Sequence, residues 1–244
     1  MAALLARLKT LENQFREAVE AEKLEAMAEF AAGAGHEINN PLAIIAGRAQ
    51  LFMRGETDPE RRKALALVNS QAMRIYEMIA DMMLFARPPR PNLAVVDAAR
   101  IIDEIALYFG SAAASQETVF IRLGHPGPLE IEADPVQLTV AIRAVCQNSL
   151  EALEHGGRVE LDLQSSGEDV HISVADDGPG ITAEQRPHIF EPFYSARQAG
   201  RGLGMGLSKC WRIVTNHGGR IEVESAPGQG TRFVIWLPKR LKIE

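Results

Sequence analysis

Cysteine is almost absent from this 244-residue chain. The two present, Cys146 and Cys210, lie 64 positions apart, without a CxxC partner or a nearby histidine cluster. That excludes a disulfide-stapled scaffold and gives a zinc site no support; isolated thiols of this kind fit reduced structural residues in a reducing compartment. No apolar run reaches the roughly 18–20 residues of a membrane-spanning helix. At the N-terminus, Arg7 and Lys9 follow a short Ala/Leu stretch, where a secretion signal would carry a long apolar segment. The chain is therefore expected to be cytoplasmic, alone or as the cytosolic part of a longer membrane protein, with no membrane contact of its own. Basic charge is in deficit, with 26 Lys and Arg against 32 Asp and Glu for a net −6. A nucleic-acid partner gets no general electrostatic support from that balance. The rest is ordinary globular composition, 46% apolar and 24% charged, long enough to bury a core without metal or disulfide help.

Two regions of different character follow one another. Residues 1–87 carry almost no strand signal and are rich in Ala, Leu, Glu, Met and Arg, all good helix formers. Leu4, Leu8, Leu11, Phe15 and Ala18 step by four and three, a coiled-coil seam, and the helical pattern runs on to about Met53. Gly55-Glu56-Thr57-Asp58-Pro59 breaks it, with Pro59 suited to a first helical turn. Leu65, Val68, Ala72, Ile75, Ile79, Met82 and Ala86 then mark a second seamed helix. Such a hairpin leaves an apolar face open, so two copies are expected to pair into a four-helix bundle, making a homodimer. The segmentation is a coiled coil over 1–24, the hairpin over 25–88, a linker over 89–92 and a second domain over 93–244. The linker follows from Arg87-Pro88-Pro89-Arg90-Pro91, which favours extended backbone. Beyond it, strands are predicted at 118–123, 129–132, 157–164, 169–175, 219–224 and 231–237. Helices are predicted at 97–113, 134–154, 183–189 and 204–217. The fold class is thus multidomain: an all-α hairpin followed by a two-layer α+β sandwich.

Four stretches carry chemistry. Asp176-Asp177-Gly178-Pro179-Gly180-Ile181 ends an alternating strand. A carboxylate there can accept a hydrogen bond from an amino group such as adenine N6, while glycines let a ligand approach the backbone; an ordinary Asp-Gly turn reads the same way. Gly200-Arg201-Gly202-Leu203-Gly204-Met205-Gly206-Leu207 leads into a helix, the arrangement of an anion site. Neither a dinucleotide-binding unit nor a Walker A loop fits its position or residues. Gln147-Asn148-Ser149 interrupts an apolar helix. Asn148 can offer Mg²⁺ a carbonyl oxygen or join a buried amide network. Gly35-His36-Glu37-Ile38-Asn39-Asn40-Pro41 places a histidine before a helix-bending proline. His36 is a candidate nucleophile with Glu37 as proton acceptor and Asn40 on the same face at i+4; a solvated histidine on an amphipathic helix is the bland alternative.

Taken together, these stretches resemble the catalytic core of bacterial two-component sensor histidine kinases, from about Glu22 to the end. The His36 stretch resembles the phosphoacceptor H box, Gln147-Asn148-Ser149 the N box, and Asp176–Gly180 the first glycine box. Ile189-Phe190-Glu191-Pro192-Phe193-Tyr194 resembles the F box and Gly202–Leu207 the second glycine box. The order and spacing of the five make the resemblance specific. It implies a Bergerat-type ATP-binding domain over 93–244, of the kind shared with gyrase and Hsp90, and ATP and Mg²⁺ as cofactors. It also implies autophosphorylation of His36, Glu37 as general base and Asn148 as metal ligand. Asp176 would bind the adenine amino group, and Gly178, Gly180, Gly202, Gly204, Gly206 and Leu207 would shape the pocket and lid. Phe190 and Phe193 would anchor the lid, and Arg197 would contact phosphate. Glu37 and Asn40 fit the family's E-x-x-N phosphatase pattern, with a response-regulator receiver domain as partner. The chain departs from the family at Ala144, where an earlier Asn is frequent, and in a short lid with an extra Gly200-Arg201. The alternatives are a non-catalytic nucleotide-gated scaffold and a gyrase/Hsp90-type ATPase. A clamp ATPase needs an acid on the N-box helix, where this chain has Ala144.

Overall fold

The computed structural model describes residues 2–195 and 204–240, with side chains described for part of residues 2–21 and for all later positions in that span. It divides into two compact units, Met1–Pro88 and Pro89–Glu244. Among the described residues no helix is long and apolar enough to cross a membrane.

The first unit is a pair of helices, α1 (Ala2–Gly55) and α2 (Pro59–Ala86). The turn between them is built locally. Glu56 accepts from the amides of Thr57 and Asp58, both at 3.0 Å. Asp58 caps α2 by accepting from the Glu60 amide at 2.9 Å, with Pro59 at the position where a missing N–H costs nothing. The helices run antiparallel, with Leu42, Ala46 and Ala72 clustered between them. Gln50 donates to Asn69 at 3.2 Å near the turn, and Arg87 pairs with Glu25 at the far end. The buried residues of α1 are mostly alanines: Ala28, Ala31, Ala46 and Ala49. Phe15, Phe30, Ile44, Ile45, Leu51, Phe52, Leu67 and Tyr76 remain exposed. α1 continues without interruption through Pro41.

The second unit is a layered sandwich. A five-stranded sheet has the order β2 (Val119–Gly124), β4 (Arg158–Ser166), β5 (Asp169–Asp176), β7 (Thr231–Pro238), β6 (Arg220–Ser225). β2 and β4 are parallel and the other pairs antiparallel. β1 (Ala94–Asp97) and β3 (Glu130–Ala133) form a separate antiparallel pair. Period-two alternation sends Val159, Leu161 and Leu163 of β4, Val170, Ile172 and Val174 of β5, and Phe233, Ile235 and Leu237 of β7 into one buried layer. The helices α3 (Ala98–Ala114), α4 (Pro135–Leu153) and α5 (Gly206–Asn216) contribute Ile102, Ile105, Phe109, Ile142, Val145, Cys146, Cys210 and Ile213 to the core. Both thiols are free and fully buried there, and burial pushes that of Cys210 up to about 12, so neither is poised as a nucleophile.

Two local expectations need correction. Residues 183–189 form successive turns, not a helix: Pro187 supplies no amide, and the segment closes through isolated bonds such as Arg186 N to Thr182 O at 3.1 Å and His188 N to Gln185 O at 2.9 Å. Asp97 does not open a helix from within. It ends the unforeseen strand β1 and caps α3, accepting from the Ala99 amide at 3.0 Å. It also accepts from the Leu129 amide at 2.9 Å, which with the other amide bonds holds its carboxyl below the usual range.

Candidate functional site

The candidate residues fall into two places, one in each unit. On α1, His36, Glu37 and Asn40 are all exposed. Their helix packs on α2 through Leu42, Ala46 and Ala72, and the three lie on its exposed side. Pro41 has no N–H, so the Glu37 carbonyl lacks its intrahelical partner. Asn39, between the candidate residues, is half-buried, and its Oδ1 is inaccessible without a hydrogen-bond partner.

The second place is where β5 ends against α4. Asp176 is the last residue of β5 and is buried. Its Oδ2 accepts from Ser149 Oγ at 2.8 Å, and its Oδ1 accepts from the Gly178 amide at 3.1 Å. Burial pushes the Asp176 carboxyl above the usual carboxylate range and the Asp177 charge adds to this, while the Ser149, Gly178 and Thr231 bonds pull it back. Asp177 is exposed and turned away, accepting from the Arg158 amide at 2.7 Å. Ser149 was not among the residues singled out individually by the sequence. Its only signal is a hydroxyl on the buried face of α4 beside Val145 and Cys146, a polar group that needs a partner.

The glycine stretch after Asp176 is held by the β6–β7 turn. Gly228 N donates to Pro179 O at 2.7 Å, and Ile181 N donates to Ser225 Oγ at 2.8 Å. Gly180 has φ +74, and a Cβ there would lie 2.0 Å from the Ala226 carbonyl oxygen. Gly178 is needed differently, since a Cβ would crowd Asp176 Oδ1 at 2.9 Å.

The second glycine stretch enters α5. Gly204 has φ +70, with its Cβ position 2.5 Å from the Tyr194 carbonyl oxygen, so the end of the F-box segment and this stretch touch. Gly206 opens α5, with its Cβ position 4.0 Å from that of Ala144. Among the described residues no side chain caps α5, and Leu207 is half-buried in its first turn. Phe190 is half-buried with its ring 6.4 Å from that of Phe233, edge to face, so it packs on the core. Phe193 is exposed with φ 65. Asn148 is half-buried on α4 beside Ser149. Arg197 and Gly202 lie outside the described residues.

A nucleotide with Mg²⁺ fits the donor set. The buried carboxylate can take an amino group, and the uncapped α5 turn suits phosphate. No group of three His, Cys, Asp or Glu that could hold a metal occurs among the described residues. Asn148 of α4 carries a side-chain carbonyl oxygen, a hard donor of the kind Mg²⁺ takes.

Comparison with known proteins agrees with this division. The family described as "His Kinase A (phospho-acceptor) domain" matches residues 26–90. The family described as "Histidine kinase-, DNA gyrase B-, and HSP90-like ATPase" matches residues 133–241. Sensor histidine kinase ZraS of Escherichia coli O157:H7 is 34% identical over 219 residues, 89% of this chain and 47% of that protein. Sporulation kinase D of Bacillus subtilis (strain 168) is 30% identical over 220 residues, 90% of this chain and 43% of that one. The chain thus spans about half the length of these curated relatives. Full-length ShkA, solved in complex with AMPPNP, superposes with a TM-score of 0.76 at 26% identity, covering 88% of this chain and 47% of that one.

Proposed function

We infer that the chain is the catalytic core of a two-component sensor histidine kinase, because it carries the matched phosphoacceptor and ATPase-like domains in tandem. From that premise we propose that it binds ATP at the Asp176 site, phosphorylates its own His36, and passes the phosphoryl group to an aspartate of a response-regulator receiver domain. The observation that carries the reading is the buried Asp176 carboxylate, held by Ser149 and Gly178 in the same unit as an uncapped α5. A buried carboxylate held by Ser149 and Gly178, beside glycines that tolerate no Cβ, supports a recognition group over an ordinary turn.

Phosphoryl transfer needs positioning and charge neutralisation more than covalent help. The unprotonated nitrogen of His36 forms the new N–P bond as the bond from the γ-phosphorus to the β–γ bridging oxygen breaks, and ADP leaves. Glu37, one residue on, accepts the ring proton. Asn148 would hold Mg²⁺, which when bound supplies neutralisation of the phosphate charge. Asp176 orients the base through the adenine amino group, and the α5 amides with Leu207 form the wall nearest the phosphates. Arg197, Gly202 and Gly204 belong to the lid in this reading. Asn40, one turn from His36, orients a water that attacks the regulator's phosphoaspartate, which makes the same face a phosphatase.

The exposed Ile, Leu, Phe and Tyr residues of the first unit support a homodimer through a four-helix bundle, because a two-helix unit that buries alanine and exposes larger side chains leaves its main apolar area in water. The test is incubation with Mg²⁺ and γ-labelled ATP. Acid-labile, alkali-stable label on the unaltered chain, absent from His36→Gln with ADP binding intact, is the expected result. Label retained by His36→Gln would refute the acceptor assignment.

A further inference from the structure

The proline-rich linker is tied to the first turn of α4 by two hydrogen bonds. Gln137 Nε2 donates to the Pro89 carbonyl at 3.1 Å, and the Asn92 amide donates to Asp134 Oδ2 at 2.9 Å. The other Asp134 oxygen caps α4, accepting from the amides of Val136 at 2.9 Å and Gln137 at 3.0 Å. The Asp134 amide in turn donates to His217 Nε2 at 3.0 Å, and His217 Nδ1 lies 2.9 Å from the Ile213 carbonyl. An amide can only donate and a carbonyl can only accept. His217 is therefore the neutral tautomer with its proton on Nδ1, spanning from the end of α5 to the start of α4. Asp134, Gln137 and His217 are all buried.

This cluster touches one end of each helix that forms the candidate nucleotide site. α4 carries Asn148 and Ser149 further along its length, and α5 begins at Gly206. On the other side, the linker continues directly from Arg87, which pairs with Glu25 of α1. Pro88, Pro89 and Pro91 make the intervening chain stiff, so it passes a displacement on where a glycine linker would absorb it. Gln137 Oε1 is buried without a partner. An apolar residue of the same size would avoid that cost, so what Gln137 adds at this position is the bond its amide makes to Pro89.

We propose that Asp134, Gln137 and His217 form a coupling node through which seating of the linker and occupancy of the Asp176–α5 site bias one another. The three act as positioning residues, and the regulatory role rests on the nucleotide-binding reading above. By linkage, whatever unseats the linker weakens nucleotide binding by the same factor that nucleotide strengthens the seating.

Asp134→Asn with Gln137→Met removes both linker bonds in the full chain. Asn is as good a helix cap as Asp, so the α4 cap survives while an amide donor faces Asn92. Two readouts decide: hydrogen exchange of the α5 amides without nucleotide, and ADP affinity by calorimetry. The double variant is expected to speed exchange across residues 206–217 and to weaken ADP about 5-fold or more, within the usual range of allosteric coupling. In a His217→Leu background the same two substitutions are expected to add nothing to either readout. Unchanged α5 exchange in the double variant overturns the node, as does an equal effect with and without His217. If the unaltered chain fails to bind ADP, the nucleotide reading fails, and exchange in the double variant alone still decides whether linker and α5 are coupled.

Discussion

Ser149→Ala isolates the contribution of one hydroxyl to the Asp176 site. The substitution removes a single oxygen from a fully buried position and opens no cavity of consequence. What it takes away is the donor 2.8 Å from Asp176 Oδ2. A hydrogen bond to a charged group contributes about 1.5–3 kcal/mol, and one pKa unit corresponds to about 1.36 kcal/mol. Losing the bond should therefore raise the Asp176 pKa further, beyond a value that burial already holds high. The sign for stability follows. An aspartate whose folded-state pKa exceeds its unfolded value favours the fold when protonated, and that contribution is lost as pH rises through the unfolded value and then the folded one. Ser149→Ala thus destabilises the second unit at neutral pH and little in acid. For binding, the adenine amino group needs the ionised acceptor, so ADP affinity falls as pH drops through the Asp176 pKa. The assay is calorimetric titration with ADP across pH, for both proteins. The acid limb of the affinity profile should move to higher pH in the variant. A limb in the same place, with affinity merely scaled at all pH values, would refute the assignment of Asp176 as the titrating acceptor held by Ser149.

Gly180→Ala should cost the second unit about 2 kcal/mol or more, read by denaturant melting, because it combines positive φ with a Cβ 2.0 Å from the Ala226 carbonyl. Gly110→Ala in α3, where no atom lies within 4 Å of the new Cβ, should instead stabilise by about 0.5–1 kcal/mol. Asp97 and Asp134 both have carboxyls held below their ordinary value, by the Leu129 amide for Asp97 and, against the opposing push of burial, by the Gln137, Asn92 and Val136 amides for Asp134. The stability they contribute is complete above the unfolded-state value and is lost as pH falls through their lower folded values, so Asp97→Asn should flatten the acid side of the melting-temperature profile. Asn40→Ala should leave His36 labelling intact and reduce dephosphorylation of a cognate receiver domain; equal loss of both would make Asn40 a structural residue.

The strands whose alternate residues reach the core could be placed from sequence because burial on one face imposes period two. Val159, Leu161 and Leu163 left little freedom, and neither did Val170, Ile172 and Val174. The turn region 183–189 misled because Ala183, Glu184, Gln185 and Arg186 are good helix formers, and the decisive fact was one missing amide at Pro187. β1 was hidden because a four-residue strand beside a helix cap has no periodicity of its own; it exists only through its pairing with β3. The candidate site split the same way. Glycines and Asp176 could be named because their residue types are costly elsewhere. Ser149 could not, because a serine on a helix is cheap and its role comes from a carboxylate 27 positions away. His217 was hidden for the same reason: Gly218 and Gly219 mark a turn, and nothing local shows that the preceding imidazole reaches the Asp134 amide.

The two units differ in how completely one chain can stabilise them. In the second, three helices and a five-stranded sheet bury Phe109, Phe233, Leu161, Ile172 and Ile213 together, so the Asp176 site stands on a core built within one chain. In the first, the largest contiguous contacts are among alanines, Leu42 and Phe85, while larger apolar residues on both helices stay in water. Under the proposed function, the nucleotide-recognition residues are preorganised within one chain, whereas the element presenting His36 would be completed by a second copy covering α1 and α2. A chain built this way separates the chemistry that must be rigid from the scaffold that must respond. The stiff linker, seated on the α4 cap, is the one covalent route by which a change in the second reaches the first.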